Sequence, residues 1–189
     1  MKKTFRTIYV HMMERRLWRY CRRRFRSELG LEHGPGHWKR VAAFGRMLCD
    51  LDPSVDRLVV NAFACLHDVE RRDNCDDLEH GPRAARLVKR IRRTYLSYLN
   101  DEQIGLLSTA CELHTTAIST ESYTVNACFD ADRLDLLRCG ISPDPARMAS
   151  VSGADIAARE DFVDGVWKYV NETVSKQGIP VSIMSMCRG

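Results

Sequence analysis

Residues 55–73 read VDRLVVNAFACLHDVERRD, an apolar run that ends in a histidine and an aspartate side by side. Val55, Leu58, Val59, Ala62, Phe63 and Leu66 recur at three- and four-residue steps and so make one wide face of a helix. A helix with such a face packs inside a protein, which makes His67 and Asp68 costly neighbours of the core. A buried carboxylate must have its charge offset, and a buried imidazole needs partners at both ring nitrogens. Other parts of the chain have to supply them.

The same helical periodicity runs through almost every other segment and no alternating strand pattern interrupts it, so the chain reads as all-α. A first helix is expected from about Thr4 to Leu29, stopped by Gly30. LEHGPGHW (31–38) is then a loop, and a second helix runs from about His37 to Cys49. Asp52, followed by Pro53, is the expected N-cap of the helix that ends in His67 and Asp68. DNCDDLEHG (73–81) reads as a polar loop, with Pro82 opening a helix to Tyr95 and Asn100 capping another to about Thr116. Val125 to Cys139 is a sixth, GISPDPARM (140–148) breaks helical structure, and Ser152 caps a last helix ending near Gly178. The organisation expected is a basic N-terminal helix (1–30), a helical core (31–150), and a C-terminal helix with a tail (151–189) packed on that core, all in one globular unit.

At 189 residues and 44% hydrophobic, the chain suits a single core. Eight scattered cysteines without a CxxC pair read as reduced thiols in a cytoplasmic protein, not a disulfide scaffold. The longest uncharged run near the N-terminus, Thr7 to Met13, contains His11 and is too short for a signal peptide core or a membrane span, so no membrane partner is expected. Net charge is +4, but residues 1–30 hold ten Lys/Arg against Glu14 and Glu28, a local +8 that leaves −4 for the rest. Positive charge is a feature of one end.

Residues of metal-binding type recur at defined places: His37 opening helix two, His67 and Asp68 closing helix three, and Asp132 in helix six, with His80 and His114 as further candidates. Neighbours on a helix point about 100° apart, so His67 and Asp68 share an ion only if it lies beyond the helix end. Plainer readings stand beside these. His37 could be a first-turn surface histidine and His67 a hydrogen-bonded core histidine. Asp68 could belong to a solvated helix end, and Asp132 could sit among exposed helical ion pairs made by Asp130, Arg133 and Asp135.

HGPGHWKRV (33–41), FACLHDVERRD (63–73), LEHGPRAARLV (78–88), ACELHT (110–115) and CFDADRLDLLRCGI (128–141), in this order, resemble the successive motifs of the HD-domain metal-dependent phosphohydrolases, and in particular the small stand-alone bacterial HD hydrolases of unassigned substrate. The resemblance implies an all-α HD-domain bundle whose first metal is held by His37 in preference to His33, by His67 and Asp68, and by Asp132 in preference to Asp130. It also offers a second metal, bridged by Asp68 and bound by His80 and His114. Related dinuclear enzymes carry two adjacent histidines where His114 is followed here by Thr115, which leaves one ion or two open.

An imidazole and carboxylate set suits a divalent cation, Mn, Fe, Co, Ni, Zn or Mg, and the lack of cysteine in it argues against a structural zinc. The implied chemistry is hydrolysis of a phosphoester in a nucleotide or another small phosphorylated compound by metal-activated water. Asp68 would orient that water, and His80 or His114 would act as general acid. Arg71 is the preferred phosphate fork, with Lys39, Arg40 and Arg133 as further phosphate-side candidates. Two alternatives remain: a catalytically silent HD-fold nucleotide sensor, and a nucleic-acid-binding module built on helix one, where Trp18, Tyr20 and Phe25 interleave with arginines. The preferred reading of helix one is a solvated basic face whose aromatics pack on the core. Trp38, Cys65, Cys111 and Cys128 read as core.

Overall fold

The computed structural model describes residues 2–26, 29, 32–74 and 77–177; the expected stop at Gly30 and the tail after Gly178 lie outside them. It is helical throughout, with no strand among the described residues. The helices are α1 (Lys2–Arg24), α2 (Pro35–Leu51), α3 (Arg57–Leu66), α4 (His80–Tyr95), α5 (Asp101–Leu113), α6 (Tyr123–Arg133), α7 (Val151–Ala157) and α8 (Glu160–Gln177).

The organising element is α3. It touches α1, α2, α5 and α6, and Val59, Val60, Ala62, Phe63, Ala64, Cys65 and Leu66 are all buried. The single apolar face expected from the sequence is therefore burial on nearly every side, because neighbours surround the helix. α2 also carries α6 and α8, and α4 packs closely on α5. Trp38 is fully buried and receives Trp18 and Phe25 of the N-terminal segment edge-on, at ring-centroid distances of 6.1 and 5.3 Å. Together with buried Met13, Leu17 and Cys21, these contacts bind α1 to the core.

Several boundaries move from their expected places, each for a local reason. α1 ends at Arg24 instead of Leu29. The N-cap of α3 is Asp56 instead of Asp52: its Oδ1 accepts from the backbone N–H groups of Leu58 and Val59 at 2.9 and 3.2 Å. Asp52 is occupied locally, accepting from the Ser54 N–H and hydroxyl at 2.9 and 2.7 Å. Asn100 does cap α5, in a reciprocal box with Gln103. The expected sixth helix stops at Arg133, continuing as a 3₁₀ turn over Leu136–Cys139 that Gly140 ends at φ 72°. The single C-terminal helix is two, α7 capped by Ser150 and then α8.

Glycines permit two close approaches. A Cβ on Gly45 of α2 would run into the Val60 side chain of α3, and one on Gly81 would lie 2.8 Å from both the Cys111 and Glu112 carbonyl oxygens. The second contact brings the start of α4 against the end of α5, and backbone oxygens cannot rotate away as a side chain can. Gly81→Ala is expected to destabilise the fold by about 1–3 kcal/mol, the usual cost of overpacking. A urea unfolding midpoint equal to wild type would refute this.

Candidate metal centre

The six candidate ligands all stand at helix ends that meet. His37 lies in the first turn of α2, His67 is the C-cap of α3 and Asp68 follows it, His80 opens α4, His114 is the C-cap of α5, and Asp132 is in the last turn of α6. The four histidines and Asp68 are buried, and the Asp132 side chain is 17% exposed.

Two groups of donors form. In the first, His37 Nε2 and His67 Nε2 are 2.9 Å apart, with Asp132 Oδ1 at 3.3 and 3.8 Å from them. In the second, His80 Nε2 and His114 Nε2 are 2.9 Å apart, with Asp68 Oδ1 at 3.2 and 3.9 Å. The other carboxylate oxygen of Asp68, Oδ2, is 3.6 Å from both His37 Nε2 and His67 Nε2. One side chain thus faces both groups, an oxygen to each.

The tautomers follow from the outward nitrogens. His67 Nδ1 meets the Phe63 carbonyl at 3.1 Å, His114 Nδ1 the Cys111 carbonyl at 2.8 Å, His80 Nδ1 the Asp77 carbonyl, and His37 Nδ1 the Asp135 carboxylate at 2.7 Å. Every one of those partners only accepts, so each Nδ1 carries the hydrogen and each neutral ring turns a bare Nε2 lone pair inward. Lone pairs confronted at 2.9 Å beside carboxylate oxygens repel unless something positive lies among them. The residues present therefore fit a divalent cation at the first group, and a second at the other.

Proton affinities agree with this. Burial, only partly opposed by Asp68 and Asp132, pushes the His67 imidazole down to about 3. Burial alone would raise the carboxyls of Asp68 and Asp132, but the surrounding imidazoles, with Arg138 beside Asp132, hold both well below the ordinary range. For His114 the downward pull of burial is outweighed by Asp68 and Asp132, so its affinity rises.

Four residues take roles here that the sequence did not assign to them. Asp135 and Asp130, read there as surface ion-pair partners, are fully buried. Asp135 orients His37 and is held by Arg40 Nε at 2.6 Å, while Asp130 accepts from the Ala149 and Ser150 N–H groups at 2.6 and 2.9 Å and pins the chain ahead of α7. Arg138 sets Nη2 3.4 Å from Asp132 Oδ1. His33, in the loop before α2, places Nδ1 2.9 Å from Asp68 Oδ2 and so steadies from the side the carboxylate that faces both groups. The sequence had weighed it only as the less favoured alternative to His37.

The phosphate-side residues divide. Arg71 reaches the second group, with Nη1 3.2 and 3.3 Å from the His80 ring nitrogens and 3.9 Å from Asp68 Oδ1. Three others do not face the donors. Lys39, two residues from His37 on the same helix, points about 200° away from it, on the side of Arg22. Arg40 is buried on Asp135 and on Asn171 Oδ1 at 2.8 Å. Arg133 donates to the Ala117, Ile118 and Arg147 carbonyls. Closeness in sequence to a ligand did not set the direction of these three.

No family model and no curated protein matches the sequence. Among solved structures, the chain is similar to the crystal structure of a predicted HD superfamily hydrolase from an uncultured Thermotogales bacterium. The TM-score is 0.64 and the identity 19%, over 86% of this chain and 91% of that one. The chain therefore shares the all-helical fold of that structure, as its motifs led one to expect. No described helix is long and apolar enough to cross a membrane.

His67 titrates at about 3 in the fold against an ordinary 6.5, so between those values the unfolded chain takes up protons first and stability falls as pH drops. His114 shifts the opposite way and loses its contribution above 6.5, outside that window. Metal-free protein should show urea midpoints that decline from pH 6.5 toward 3, less steeply for His67→Asn. Identical slopes for the two proteins would contradict the assignment.

Proposed function

We propose that the protein is a metal-dependent phosphohydrolase that cleaves a phosphoester of a nucleotide or another small phosphorylated compound. The observation that carries this reading is the pair of confronted Nε2 groups, sharing the Asp68 carboxylate. A cation bound there, Mn, Fe, Co, Ni, Zn or Mg, supplies Lewis acidity toward a phosphoryl oxygen and lowers the pKa of water.

The remaining steps belong to the chain. Asp68, steadied by His33, orients the attacking water. Arg71 grips a phosphoryl oxygen from the side of His80. The N-termini of α2 and α4, which open at the donors, have no side-chain cap, whereas α3, α5, α6 and α7 are capped by Asp56, Asn100, Ser122 and Ser150. The positive helix ends favour an anionic substrate. His80 and His114 hold a second cation when one is present; with a single cation they face the phosphate, and one protonates the leaving oxygen. Asp135, itself held by Arg40, keeps His37 in the tautomer that points Nε2 inward. A sensor that binds nucleotide without turnover would have use for the uncapped helix ends but not for the confronted nitrogens.

Protein loaded with Mn or Co should release phosphate in a screen of nucleotides and sugar phosphates, and His67→Ala or Asp68→Ala should abolish that release. Turnover surviving both substitutions would rule the reading out. Asp135→Asn should weaken metal affinity about 10- to 100-fold, the usual effect of losing a hydrogen bond behind a ligating histidine. Competition with a chromophoric chelator measures this, and unchanged affinity would remove Asp135 from the site.

A further inference from the structure

α1 and α4 lie side by side. Tyr20 stacks on Tyr95 with centroids 4.5 Å apart, the Arg16 guanidinium lies 5.8 Å from the Tyr95 ring, and the Tyr9 hydroxyl is 2.8 Å from Ser97 Oγ just past α4. Both helices are basic on their solvent side. Arg15, Arg19, Arg22 and Arg23 of α1 are exposed, at steps that keep them on one face, and so are Arg86, Lys89 and Arg93 of α4. None of these seven makes an ion pair with a carboxylate among the described residues.

Glu70 takes one arginine from each helix: its Oε1 is 2.5 Å from Arg24 Nε, at the end of α1 on the side of buried Leu17 and Cys21, and 3.6 Å from Arg90 Nη2 of α4. Glu70 stands two residues beyond Asp68 and next to Arg71, which reaches the second donor group. Glu70 thus ties both basic helices together beside the candidate metal centre. The first turns of α1 add exposed Phe5 (68%), Ile8 (61%), Tyr9 (42%) and Met12 (46%), again on one face. A small phosphorylated compound needs none of this surface.

We infer that α1 and α4 form a docking track for single-stranded nucleic acid and present one of its phosphodiesters to the metal centre. The inference rests on the phosphohydrolase reading above and names a polymer as substrate. In the reaction, the oxygen of water bonds to phosphorus and the P–O bond to one sugar breaks. The protons of water end on the departing hydroxyl and the new phosphate.

The arginines match the phosphates, and the exposed rings and aliphatic side chains match unstacked bases. Trp18, Tyr20 and Phe25, the aromatics that the sequence suggested for stacking, face Trp38 and Tyr95 and are not available; Phe5 and Tyr9 take that place. A duplex would leave the apolar turns against phosphate. A second copy paired between Ile8 and Tyr9 would cover those turns but give the arginines no counter-charge, since the outer face of α1 carries no carboxylate.

The test uses the whole chain, a fluorescent oligothymidylate, and a mononucleotide phosphoester as the small substrate. Metal-free protein should bind the oligonucleotide with affinity that falls steeply with salt. Arg15→Glu, Arg19→Glu and Arg23→Glu combined should lower the slope of log affinity on log salt by about 2, three phosphate contacts at about 0.7 each. With metal, the same variant should cleave the oligonucleotide on the order of tenfold more slowly while turning over the mononucleotide as wild type does. Phe5→Ala with Tyr9→Ala should weaken binding without changing the salt slope. Mononucleotide turnover without oligonucleotide binding overturns the inference and leaves the phosphohydrolase reading intact. Oligonucleotide binding with no hydrolysis of either substrate overturns that reading and, with it, the presentation of a phosphodiester. Retention on phosphatidylserine vesicles but not on the oligonucleotide, or a dimer dissolved by Ile8→Glu, overturns the track in favour of a lipid surface or a second copy.

Discussion

The constraint on which the rest depends is the pinning of four imidazoles by their outer nitrogens. Once His37, His67, His80 and His114 give Nδ1 to acceptors, their Nε2 atoms turn toward one another and toward carboxylate oxygens, with Arg71 Nη1 also 3.3 Å from that of His80. Three of the four anchors are carbonyls of the chain close to the histidine itself: Phe63, Asp77 and Cys111. A carbonyl three or four residues back is within reach of a histidine at a helix end, and this is why the ligands gather at ends instead of along helix faces. His37 opens a helix and has no turn behind it, so a carboxylate from another segment, Asp135, stands in.

Helix ends also set the field. α3, α5 and α6 bring their C-termini to the donors, and the partial negative charge there favours a cation. α2 and α4 bring N-termini, which favour an anion. A centre with cation-stabilising and anion-stabilising ends side by side is suited to a metal in contact with a phosphate, and poorly suited to a closed structural metal site. The Asp68 carboxylate lies at the junction, and the surrounding imidazoles hold its proton affinity well below the ordinary carboxylate range.

Much of this was legible in the sequence, for identifiable reasons. Helical periodicity is a property of the chain itself, and α2 to α5 fall close to where it put them. Boundaries depended on which of two similar residues wins a cap, as with Asp52 and Asp56, and no sequence pattern shows that Ser54 occupies the first. The candidate ligands stood out because a histidine and an aspartate at the end of an apolar helix are unusual. Asp135 and Arg138 did not, because a charged residue in a charged helical segment looks the same whether it is buried on a partner or bathed in water. Lys39, Arg40 and Arg133 misled for the converse reason. Nearness along a helix says little about direction: Arg40 holds α8 and Arg133 the loops, while Lys39 lies on the side of Arg22.

The segment Leu66 to Arg71 draws these layers together. Leu66 is fully buried beneath the site, His67 and Asp68 face the donors, Val69 returns to the core, Glu70 ties α1 to α4 through Arg24 and Arg90, and Arg71 turns back toward His80. Core, centre and basic surface are therefore joined within six residues of one turn. Any shift of α1 relative to α4 acts on Glu70, and Glu70 is covalently next to the arginine beside the second donor group. The positive charge concentrated at one end of the sequence is for this reason not a detached feature: the fold sets it on the turn that carries the histidine–aspartate pair.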